Sequence, residues 1–401
     1  MGAFAAACYA ARPERWLIPV LSDLTRPPGR TLVLSLGKGA IPMAEAFGGA
    51  WTGDWTGLAV APKGEARVVP GFEVLEASHP VPDASSLAAG EASLAFAARA
   101  GPQDLLLVLV SGGASSLLCA PIPGVSLEQK AAVTGRLLAS GAGIAQINAV
   151  RRALSRVKGG GLSRAGRAGR TVTIAQSDVP DDNPADIGSG PGLRSPTTVA
   201  DALAVLTRHA PDLLEAVAGP IHAFAAERSH PIGRVSASVP LGISAGAAAA
   251  AEFLRDDGWE AGDLGSVSGD ADLTGRAHAA LLTGGRRALV SGGELSLAVP
   301  RGAKGRGGRN QHYLLSLAVE LAGRNDIWAL AADTDGIDGS SDAAGAWIDP
   351  ALLGTLDRIE AEAALADFDA HGFFERHDRL IRTGPTGVNL GDLRIVLVDP
   401  A

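Results

Sequence analysis

The sequence predicts an α/β protein of two domains, and three observations support this. The chain has 401 residues, which is long for one hydrophobic core. Short β-rich runs such as Thr31–Leu36 and Leu105–Val110 end in glycine turns and precede helical patterns. With 46% hydrophobic but only 4% aromatic residues, the core must consist mainly of aliphatic side chains. Such a core suits parallel strands that are covered by Ala-rich helices.

The order of the elements predicts how the two domains are built. Strand and helix patterns alternate as far as a strand at Thr171–Ala175 and begin again with a helix at Ala245–Leu254. The segment His230-Pro231-Ile232-Gly233 between them has the composition of a loop. We therefore predict a larger domain at residues 1–234, with a Rossmann-like parallel sheet and helices on both faces, and a smaller α/β domain at residues 235–401.

Further elements follow from local signals. Ser126 has the side chain of a helix cap, and Ile147–Val157 is a periodic basic helix stopped by Gly159, Gly160 and Gly161. The small apolar N-terminus predicts the start of a helix and lacks the basic leader of a secretory signal. In the C-terminal half we predict strands at Ala288–Ser291, Leu295–Val299, Ile327–Ala331 and Arg394–Val398, and a helix at Asn310–Ala322.

Charge and cysteine content exclude several classes of protein. The net charge of −8 and the dispersed arginines argue against a nucleic-acid partner. No run of about 18 apolar residues is present, so no membrane span is expected. Two cysteines, Cys8 and Cys119, are too few for a disulfide framework or a cysteine metal cage. We therefore expect a cytoplasmic protein without membrane or nucleic-acid partners.

Two glycine-rich turns have the composition of anion sites. Glycine has no Cβ, so the backbone N–H groups of such a turn can approach a ligand closely. Arg306 and Arg309 follow the second turn and provide planar guanidinium groups suited to phosphate or carboxylate. The turn residues are Ser111, Gly112 and Gly113 in the first half, and Ser291, Gly292, Gly293 and Glu294 in the second.

Lys38 is a candidate ligand-binding cation. It stands between two glycines directly after a predicted strand, where its side chain could reach a phosphate. The alternative is a solvated turn lysine, since Gly-Lys-Gly is common in loops.

Acidic residues follow two of the predicted strands. Asp178 heads a Pro- and Gly-rich loop and could act as a general base or bind Mg²⁺, which takes one or two carboxylates together with phosphate oxygens. Asp335 and Asp338 follow the strand at Ile327–Ala331 and could orient a metal or a hydroxyl. The alternative for these acids is a role in helix caps and turns, and it is equally open for Asp181, Asp182 and Asp186.

Familiar nucleotide fingerprints are absent from the sequence. Neither Gly-x-x-x-x-Gly-Lys-Ser/Thr nor Gly-x-Gly-x-x-Gly occurs, which weakens the case for a dinucleotide-dependent dehydrogenase. The eight histidines show no paired metal spacing, so a zinc enzyme is not expected. His79, in a rigid segment rich in proline, could line a cleft.

Short motifs occur in order through nearly the whole chain. They are Gly37-Lys38; His79–Asp83; Ser111–Gly113 with Pro123–Val125; Ile147–Arg151 with Ser155–Gly160; Ser177–Val179 with Ser189–Pro191; Ser291–Glu294; Gly305–Gln311; Thr334–Gly339 with Asp342–Gly345; and Thr383–Gly387 with Asn389. Together they resemble the class II glycerate kinases, the glycerate 2-kinase family whose C-terminal half carries a MOFRL domain.

This resemblance implies a reaction and a site. The reaction is transfer of the γ-phosphate of ATP to the 2-hydroxyl of D-glycerate, which gives 2-phosphoglycerate and ADP with a divalent metal. The site would lie in a cleft between two α/β domains. Lys38 and Arg309 match the family's cleft lysine and arginine, which would stabilise charge on the transferring phosphoryl group.

The resemblance suggests roles for the other candidates. The Gly-Gly turns would cradle phosphates, and the helix that starts at Arg309-Asn310 would add a positive dipole end. Asp178 or Asp335 would hold Mg²⁺ or orient the hydroxyl, while Asn310 and Glu294 would position ligands. The implied cofactors are ATP and Mg²⁺, and the implied partner is the small-molecule substrate D-glycerate. A homodimer is one alternative for the assembly.

The chain also departs from the family pattern. His312 stands where relatives usually have Glu, Asp181 where many have Gly, and Gly192 where many have Thr. The first change puts a metal or hydrogen-bonding role at that helix position in doubt. Two other functions stay open: an NAD(P)H-dependent hydroxypyruvate reductase, a label often attached to this family, and a non-catalytic ligand-binding member.

Overall fold

Helix α1 (Gly2–Ala10) packs with the C-terminal part of the chain, whereas Pro13–Leu241, which follow it in the sequence, form a separate unit. The computed structural model describes residues 1–179, 181–227, 232–282, 285–300 and 302–400. Its contacts define an N-terminal unit, Pro13–Leu241, and a C-terminal unit, Met1–Arg12 with Gly242–Ala401. The helix predicted at the N-terminus is confirmed. The domain bounds 1–234 and 235–401 stay a prediction, and His230 and Pro231, which marked the boundary, lie outside the described residues.

A six-stranded parallel sheet forms the centre of the N-terminal unit. Its strand order is β3-β2-β1-β4-β5-β6. The last strand extends the sheet beyond residue 234, because it pairs with β5. The strands are β1 (Thr31–Leu36), β2 (Trp55–Pro62), β3 (Phe72–Ala77), β4 (Leu105–Val110), β5 (Arg170–Gln176) and β6 (Arg234–Leu241).

Helices cover both faces of this sheet, as predicted. Successive side chains of a strand point to opposite faces. Leu58 and Val60 of β2 therefore pack in the core that contains Phe96, whereas Ala59 and Ala61 pack in the core that contains the start of α3. The helices are α2 (Pro13–Asp23), α3 (Ala40–Ala50), α4 (Ala84–Ala97), α5 (Ala114–Leu117), α6 (Leu127–Ala139), α7 (Ile144–Ala153), α8 (Gly161–Ala165), α9 (Val199–His209) and α10 (Pro211–Glu227).

The helix predicted at Ile147–Val157 has different ends in the structure. It begins at Ile144 and ends at Ala153. The hydroxyl of Ser155 accepts hydrogen bonds from the backbone N–H groups of Val157 and Lys158, at 3.3 Å each. This local turn competes with the helical hydrogen bonds and ends the helix before the glycines.

The C-terminal unit contains a mixed six-stranded sheet of order β13-β12-β11-β14-β9-β7. Strands β7 and β9 are parallel, and the other pairs are antiparallel. The strand predicted at Leu295–Val299 is reduced to β10, which pairs only with β8. The strands are β7 (Glu260–Ser266), β8 (Gly269–Asp270), β9 (Arg287–Gly292), β10 (Leu295–Ser296), β11 (Ile327–Asp333), β12 (Gly345–Ile348), β13 (Leu380–Ile381) and β14 (Asp392–Val398).

Two helical layers enclose this sheet. Ala329 and Ala331 of β11 pack in the core with α13, whereas Leu330 and Ala332 pack with α1 and α11. No described helix in either unit is long and apolar enough to span a membrane. The helices are α11 (Ala245–Asp256), α12 (Ala271–Ala280), α13 (Arg309–Glu320), α14 (Pro350–Thr355), α15 (Arg358–Ala366) and α16 (Ala370–Arg376).

The contact between α12 and α13 allows a test of the packing. A Cβ on Gly275 of α12 would lie 2.6 Å from the carbonyl oxygen of Tyr313, so that Gly275→Ala must push the helices apart. We expect a loss of about 1–3 kcal/mol in the free energy of unfolding of the C-terminal unit, measured by urea denaturation.

Gly354→Ala in α14 is the matched control, because a Cβ there meets no atom within 4 Å. It should leave the stability unchanged or raise it by up to about 1 kcal/mol, since alanine favours a helix. Equal effects of the two substitutions would contradict the packing described.

Candidate functional site

The carboxyl ends of β1 and β4 lie side by side where the strand order changes direction. Strands β2 and β3 lie on one side of β1, and β4, β5 and β6 lie on the other. Open α/β sheets bind ligands at such a switch point, outside the carboxyl ends of the strands. Lys38 follows β1 and Ser111–Gly113 follows β4, so the structure brings these sequence-predicted residues together.

The two turns at this edge are hydrogen-bonded to each other. The buried hydroxyl of Ser111 accepts a hydrogen bond of 2.9 Å from the N–H of Gly39, and the N–H of Lys38 donates to the carbonyl of Gly112 at 2.9 Å. Gly37 has a φ of +116°, and a Cβ there would collide with Ser111. Ser111 and Gly112 therefore hold the turn that carries Lys38.

Gly113 lies beside the side chain of Lys38 and leaves open space there. Its φ is +81°, which favours glycine, and an added Cβ would lie 3.0 Å from His79 Cδ2 and 3.3 Å from Lys38 Cγ. The half-buried Lys38 and His79 thus converge on this glycine. A larger residue at position 113 would fill the space that they share.

Asp178 lies at the same edge of the sheet, two residues after β5. Strand β5 is the parallel neighbour of β4, and the Asp178 side chain is half-buried. Another acid of the same loop, Asp186, has a structural role, because it pairs with Arg152 at 2.5 Å and accepts a hydrogen bond of 3.0 Å from Asn148. These contacts tie the loop to α7, which is a structural role other than the helix cap or turn predicted as the alternative for Asp186.

In the C-terminal unit, Arg309 is surrounded by three carboxylates. It is the first residue of α13. Its Nε donates to Asp392 at 2.8 Å, and its Nη2 donates to Asp333 at 3.0 Å and to Glu294 at 3.1 Å. The predicted arginine and glutamate therefore lie together, with two aspartates that the sequence did not single out. Both aspartates lie at strand ends, Asp333 at the end of β11 and Asp392 at the start of β14.

Burial and neighbouring charges shift the pKa values of this cluster. Burial and the neighbouring carboxylates of Asp335 and Asp392 raise the pKa of Asp333 well above its usual range. Burial alone would lower the pKa of Arg309, but the surrounding carboxylates raise it further than burial lowers it. Arg309 therefore stays positively charged, while the charged form of Asp333 is disfavoured.

The start of α13 is occupied by a side chain of the same unit. Both oxygens of Asp338 accept backbone hydrogen bonds, from Asn310 N at 3.1 Å and from Gln311 N at 2.9 Å. Asp338 therefore already occupies two N–H groups of this dipole end, and a role of the dipole in ligand binding stays a prediction. The Asn310 side chain donates to Asp392 at 2.7 Å, so Asn310 also joins the acid cluster.

The second glycine turn is held by Arg394, which the sequence analysis missed as a site residue. Arg394 Nε donates to the hydroxyl of Ser291 at 3.0 Å, and its Nη2 donates to the carbonyl of Gly292. Gly293 has a φ of +92°, and a Cβ there would lie 2.5 Å from the carbonyl of Val267. Close backbone packing therefore requires glycine at position 293.

A spacing in the sequence could have revealed this arginine. Asp392 and Arg394 are two residues apart in an otherwise apolar strand, so they point to the same face. Both are almost fully buried and pair at 3.1 Å. A charged pair of this spacing in such a strand indicates a buried ion pair.

Asp335 lies next to the acid cluster. Its N–H donates to Asp333 at 3.0 Å, and its Oδ1 accepts from Ile337 N at 2.9 Å. Across the described ranges, no group of three or more His, Cys, Asp or Glu residues is arranged to hold a metal ion. Asp178 and Asp335, the predicted metal ligands, belong to different units.

His312 is buried beside an aromatic ring. It stacks on Phe368 with ring centroids 5.5 Å apart, and its Nδ1 has no hydrogen-bond partner among the described residues. Burial lowers its pKa, which outweighs the opposite effect of Asp272 and Asp270. The lowered pKa favours the neutral imidazole at pH 7, so His312 adds no charge at the position where the resemblance implies glutamate.

The pH dependence of the stability tests whether the buried carboxylate of Asp338 caps α13. Burial raises its pKa from 3.8 to about 6, so the folded state holds this proton more tightly than the unfolded chain. Its contribution to the free energy of unfolding therefore falls as pH rises from about 4 to about 6. Between about pH 4 and about pH 6, the free energy of unfolding of the wild type should fall by about 1–3 kcal/mol relative to that of Asp338→Asn, measured by denaturation at each pH.

Asp357→Asn is the matched control, because Asp357 caps α15 from an exposed position. The stability difference between the wild type and this control should not change around pH 6. If the difference in free energy of unfolding between the wild type and Asp338→Asn is also independent of pH, the buried, ionisable cap is contradicted.

Models of two known families match the chain. Residues 1–221 match "Domain of unknown function (DUF4147)", and residues 287–392 match the MOFRL family. A protein of Agrobacterium vitis named "Putative hydroxypyruvate reductase" is 41% identical, and the alignment covers 98% of this chain and 93% of that protein.

Relatives named as kinases also match the chain. The D-glycerate 2-kinase of Thermotoga maritima is 32% identical, and the alignment covers 97% of this chain and 95% of that enzyme. A crystal structure of glycerate kinase from Thermotoga maritima superposes with a TM-score of 0.86, at 30% identity, over 99% of this chain and 98% of that one. The chain therefore belongs to the glycerate kinase family that carries a C-terminal MOFRL domain.

Proposed function

We propose that this chain phosphorylates D-glycerate at its 2-hydroxyl with ATP, which gives 2-phosphoglycerate and ADP. One observation carries the proposal: Lys38 and Gly113 meet at the switch point of the parallel sheet, in a chain whose full-length relatives include enzymes named glycerate kinase. A lysine beside an open glycine turn suits a phosphoryl group. The ammonium group carries a positive charge, and the backbone N–H groups of the turn, which no Cβ shields, can donate to phosphoryl oxygens.

The N-terminal unit would stabilise the transferring phosphoryl group. Its negative charge spreads over three oxygens in the transition state, so a positioned cation lowers the barrier. Hydrogen bonds to Ser111 and Gly112 fix the backbone at Lys38 and Gly39, and so fix the point from which the lysine side chain extends. Asp178, at the same sheet edge, would orient the acceptor hydroxyl or hold a metal.

The C-terminal unit would supply Arg309 in a fixed orientation. Glu294, Asp333 and Asp392 together occupy its Nε and Nη2 atoms, and these contacts restrict rotation of the guanidinium plane. Arg309 would therefore present its Nη1 to a ligand with little further cost in conformational entropy.

Magnesium fits the chemistry of the residues near Asp335. This carboxylate lies beside Asp333, whose pKa is raised by burial and by the charges of Asp335 and Asp392. A divalent cation would relieve that repulsion, and Mg²⁺ prefers oxygen ligands from one or two carboxylates. When bound, it would neutralise charge on the nucleotide phosphates. Asp335 or Asp178 would hold it, and the other would orient the hydroxyl.

A hydroxypyruvate reductase is the second candidate, because a relative 41% identical to this chain carries that name. The strand order β3-β2-β1-β4-β5-β6 also occurs in dinucleotide-binding folds. The turn after β1, however, reads Gly37-Lys38-Gly39 and lacks the third glycine of the dinucleotide fingerprint, which allows the helix to pack closely against the strand.

The reaction is tested by incubating the purified chain with ATP, Mg²⁺ and D-glycerate. We expect ADP release that requires D-glycerate, with 2-phosphoglycerate identified by NMR or coupled enzymes. Absence of ADP release from a folded sample would contradict the kinase, and formation of 3-phosphoglycerate would contradict the acceptor position. Loss of NADH or NADPH absorbance with hydroxypyruvate would select the reductase, and binding without turnover would indicate a non-catalytic member.

Lys38 is tested by Lys38→Ala. Loss of the cation should lower kcat by about a hundredfold or more, since it would act mainly in the transition state. Lys63→Ala is the control, because Lys63 is an exposed lysine of the same unit that pairs with Asp83. A kcat for Lys38→Ala within twofold of the wild type would contradict the role of the lysine.

Arg309 is tested by Arg309→Lys, which keeps the charge but cannot bond Asp392 and Asp333 in the same fork geometry. We expect kcat to fall by about tenfold or more while the chain stays folded by circular dichroism. Arg276→Lys is the control, since Arg276 pairs with Asp272 and Glu320 at the surface. Equal kcat values for the two variants would contradict a specific role of the guanidinium group.

A further inference from the structure

A cavity of about 470 Å³ in the N-terminal unit adjoins the first glycine turn. Gly113 and Ser115 form part of its wall, together with His79. Lys130 and Arg151 also line it. The cavity is therefore continuous with the turn beside which Lys38 lies, and it contains cations that the proposed function has not used.

Lys130 is the least compensated of these cations. Its side chain lines the cavity although the residue is only 6% exposed, and apart from the Cys119 thiol its Nζ has no hydrogen-bond acceptor among the described residues. The thiol of Cys119 interacts with it and favours its charged form, but burial lowers its pKa overall. A thiol is a weak acceptor, so it does not replace the oxygens that an ammonium group loses on burial.

Lys158 and Arg151 add positive charge around Lys130. Lys158 is fully buried, and its Nζ donates to the carbonyls of Ser115 at 2.6 Å and Leu118 at 3.3 Å. Burial lowers the pKa of both Lys158 and Arg151, and the positive charges of Lys130 and Arg151 lower that of Lys158 further. Arg152, the next cation along α7, already pairs with Asp186.

Such a group of cations is costly without an anion. Buried charges are normally paired, and removal from water costs several kcal/mol for each ion. The groups that act on the charge of Lys130 are the Cys119 thiol and the cation Arg151, and neither is a carboxylate. A bound anion would supply the missing partner.

We propose that Lys130 and Arg151 bind the carboxylate of the 2-hydroxy acid substrate in this cavity. Lys158 is a positioning residue, because its bonds to Ser115 and Leu118 hold the backbone of α5 beside the glycine turn. An arginine fork suits the two carboxylate oxygens, and an ammonium group provides a compact second charge.

The proximity to Gly113 favours a carboxylate of the acceptor over a phosphate of the nucleotide. This step rests on the proposed function. In a 2-hydroxy acid, the carboxylate and the reacting hydroxyl sit on adjacent carbon atoms. If phosphoryl transfer takes place beside Lys38 and Gly113, the carboxylate must lie in the neighbouring space, which is where Lys130 and Arg151 line the cavity.

The proposal is tested by calorimetric binding of D-glycerate to the full chain, without nucleotide and with Mg²⁺ and a non-hydrolysable ATP analogue. Lys130→Met keeps the length of the side chain but removes its charge. We expect affinity for D-glycerate to fall by about tenfold or more, while affinity for the ATP analogue stays within about twofold. Glycerol, which lacks the carboxylate, should not bind detectably.

A second variant tests the site without removing a cation. Thr134 lies one helical turn after Lys130 on α6 and also lines the cavity, so Thr134→Glu would place an internal carboxylate beside Lys130. It should compete with the substrate and lower D-glycerate affinity in the same way. Arg136→Gln is the control, because Arg136 lies on the same helix but pairs with Asp212 at the surface.

The outcomes separate this proposal from the reaction itself. D-glycerate affinity that stays within about twofold in both variants would overturn the carboxylate site, even if the kinase is active. If the variants lose affinity for the ATP analogue but not for D-glycerate, the cavity binds a phosphate, and the carboxylate site is overturned as well. Binding of D-glycerate that depends on Lys130, in a chain that releases no ADP, would support the site and contradict only the kinase.

Discussion

The buried carboxylate of Asp392 holds together the functional end of the C-terminal unit. It accepts hydrogen bonds from Arg309 at 2.8 Å and from the side chain of Asn310 at 2.7 Å, and so fixes the start of α13. Its other oxygen accepts from Leu295 N at 3.0 Å and from Arg394 at 3.1 Å, which fixes the turn after β9. Removal of one partner of a buried ion pair costs about 3–5 kcal/mol, so these elements are strongly coupled.

The elements that the sequence predicted well are those with strong local signals. β1 and β4 have the predicted ends, because each is a β-rich run of buried residues that a glycine turn follows, at Gly37 and at Ser111-Gly112. Ser126 caps α6 as predicted, since its hydroxyl accepts from Gln129 N at 3.1 Å and the two residues form a reciprocal capping pair. Such bonds join residues only three positions apart, so a short window of sequence contains both partners.

The features that the sequence could not predict depend on residues far apart in the chain. Asp338 caps α13 from 28 positions away, and no local pattern distinguishes this role from metal binding. The three carboxylates around Arg309 come from three separate segments. Lys130 stands in an ordinary amphipathic helix, and only the fold reveals that its ammonium group is buried. Burial of a charge is a property of the assembled structure, and composition does not record it.

Helix α1 gives the chain an unusual order of assembly. Phe4 and Ala7 of α1 pack in one core with Ala247 and Ala250 of α11, and all of Pro13–Leu241 lies between them in the sequence. During translation the N-terminal unit can complete its sheet while α1 still lacks its packing partners. The C-terminal unit can complete its core only afterwards, when Gly242–Ala401 packs with α1. The chain therefore passes from one unit to the other twice, after Arg12 and after Leu241. A single proteolytic cut at either crossing would therefore leave the two units covalently connected through the other.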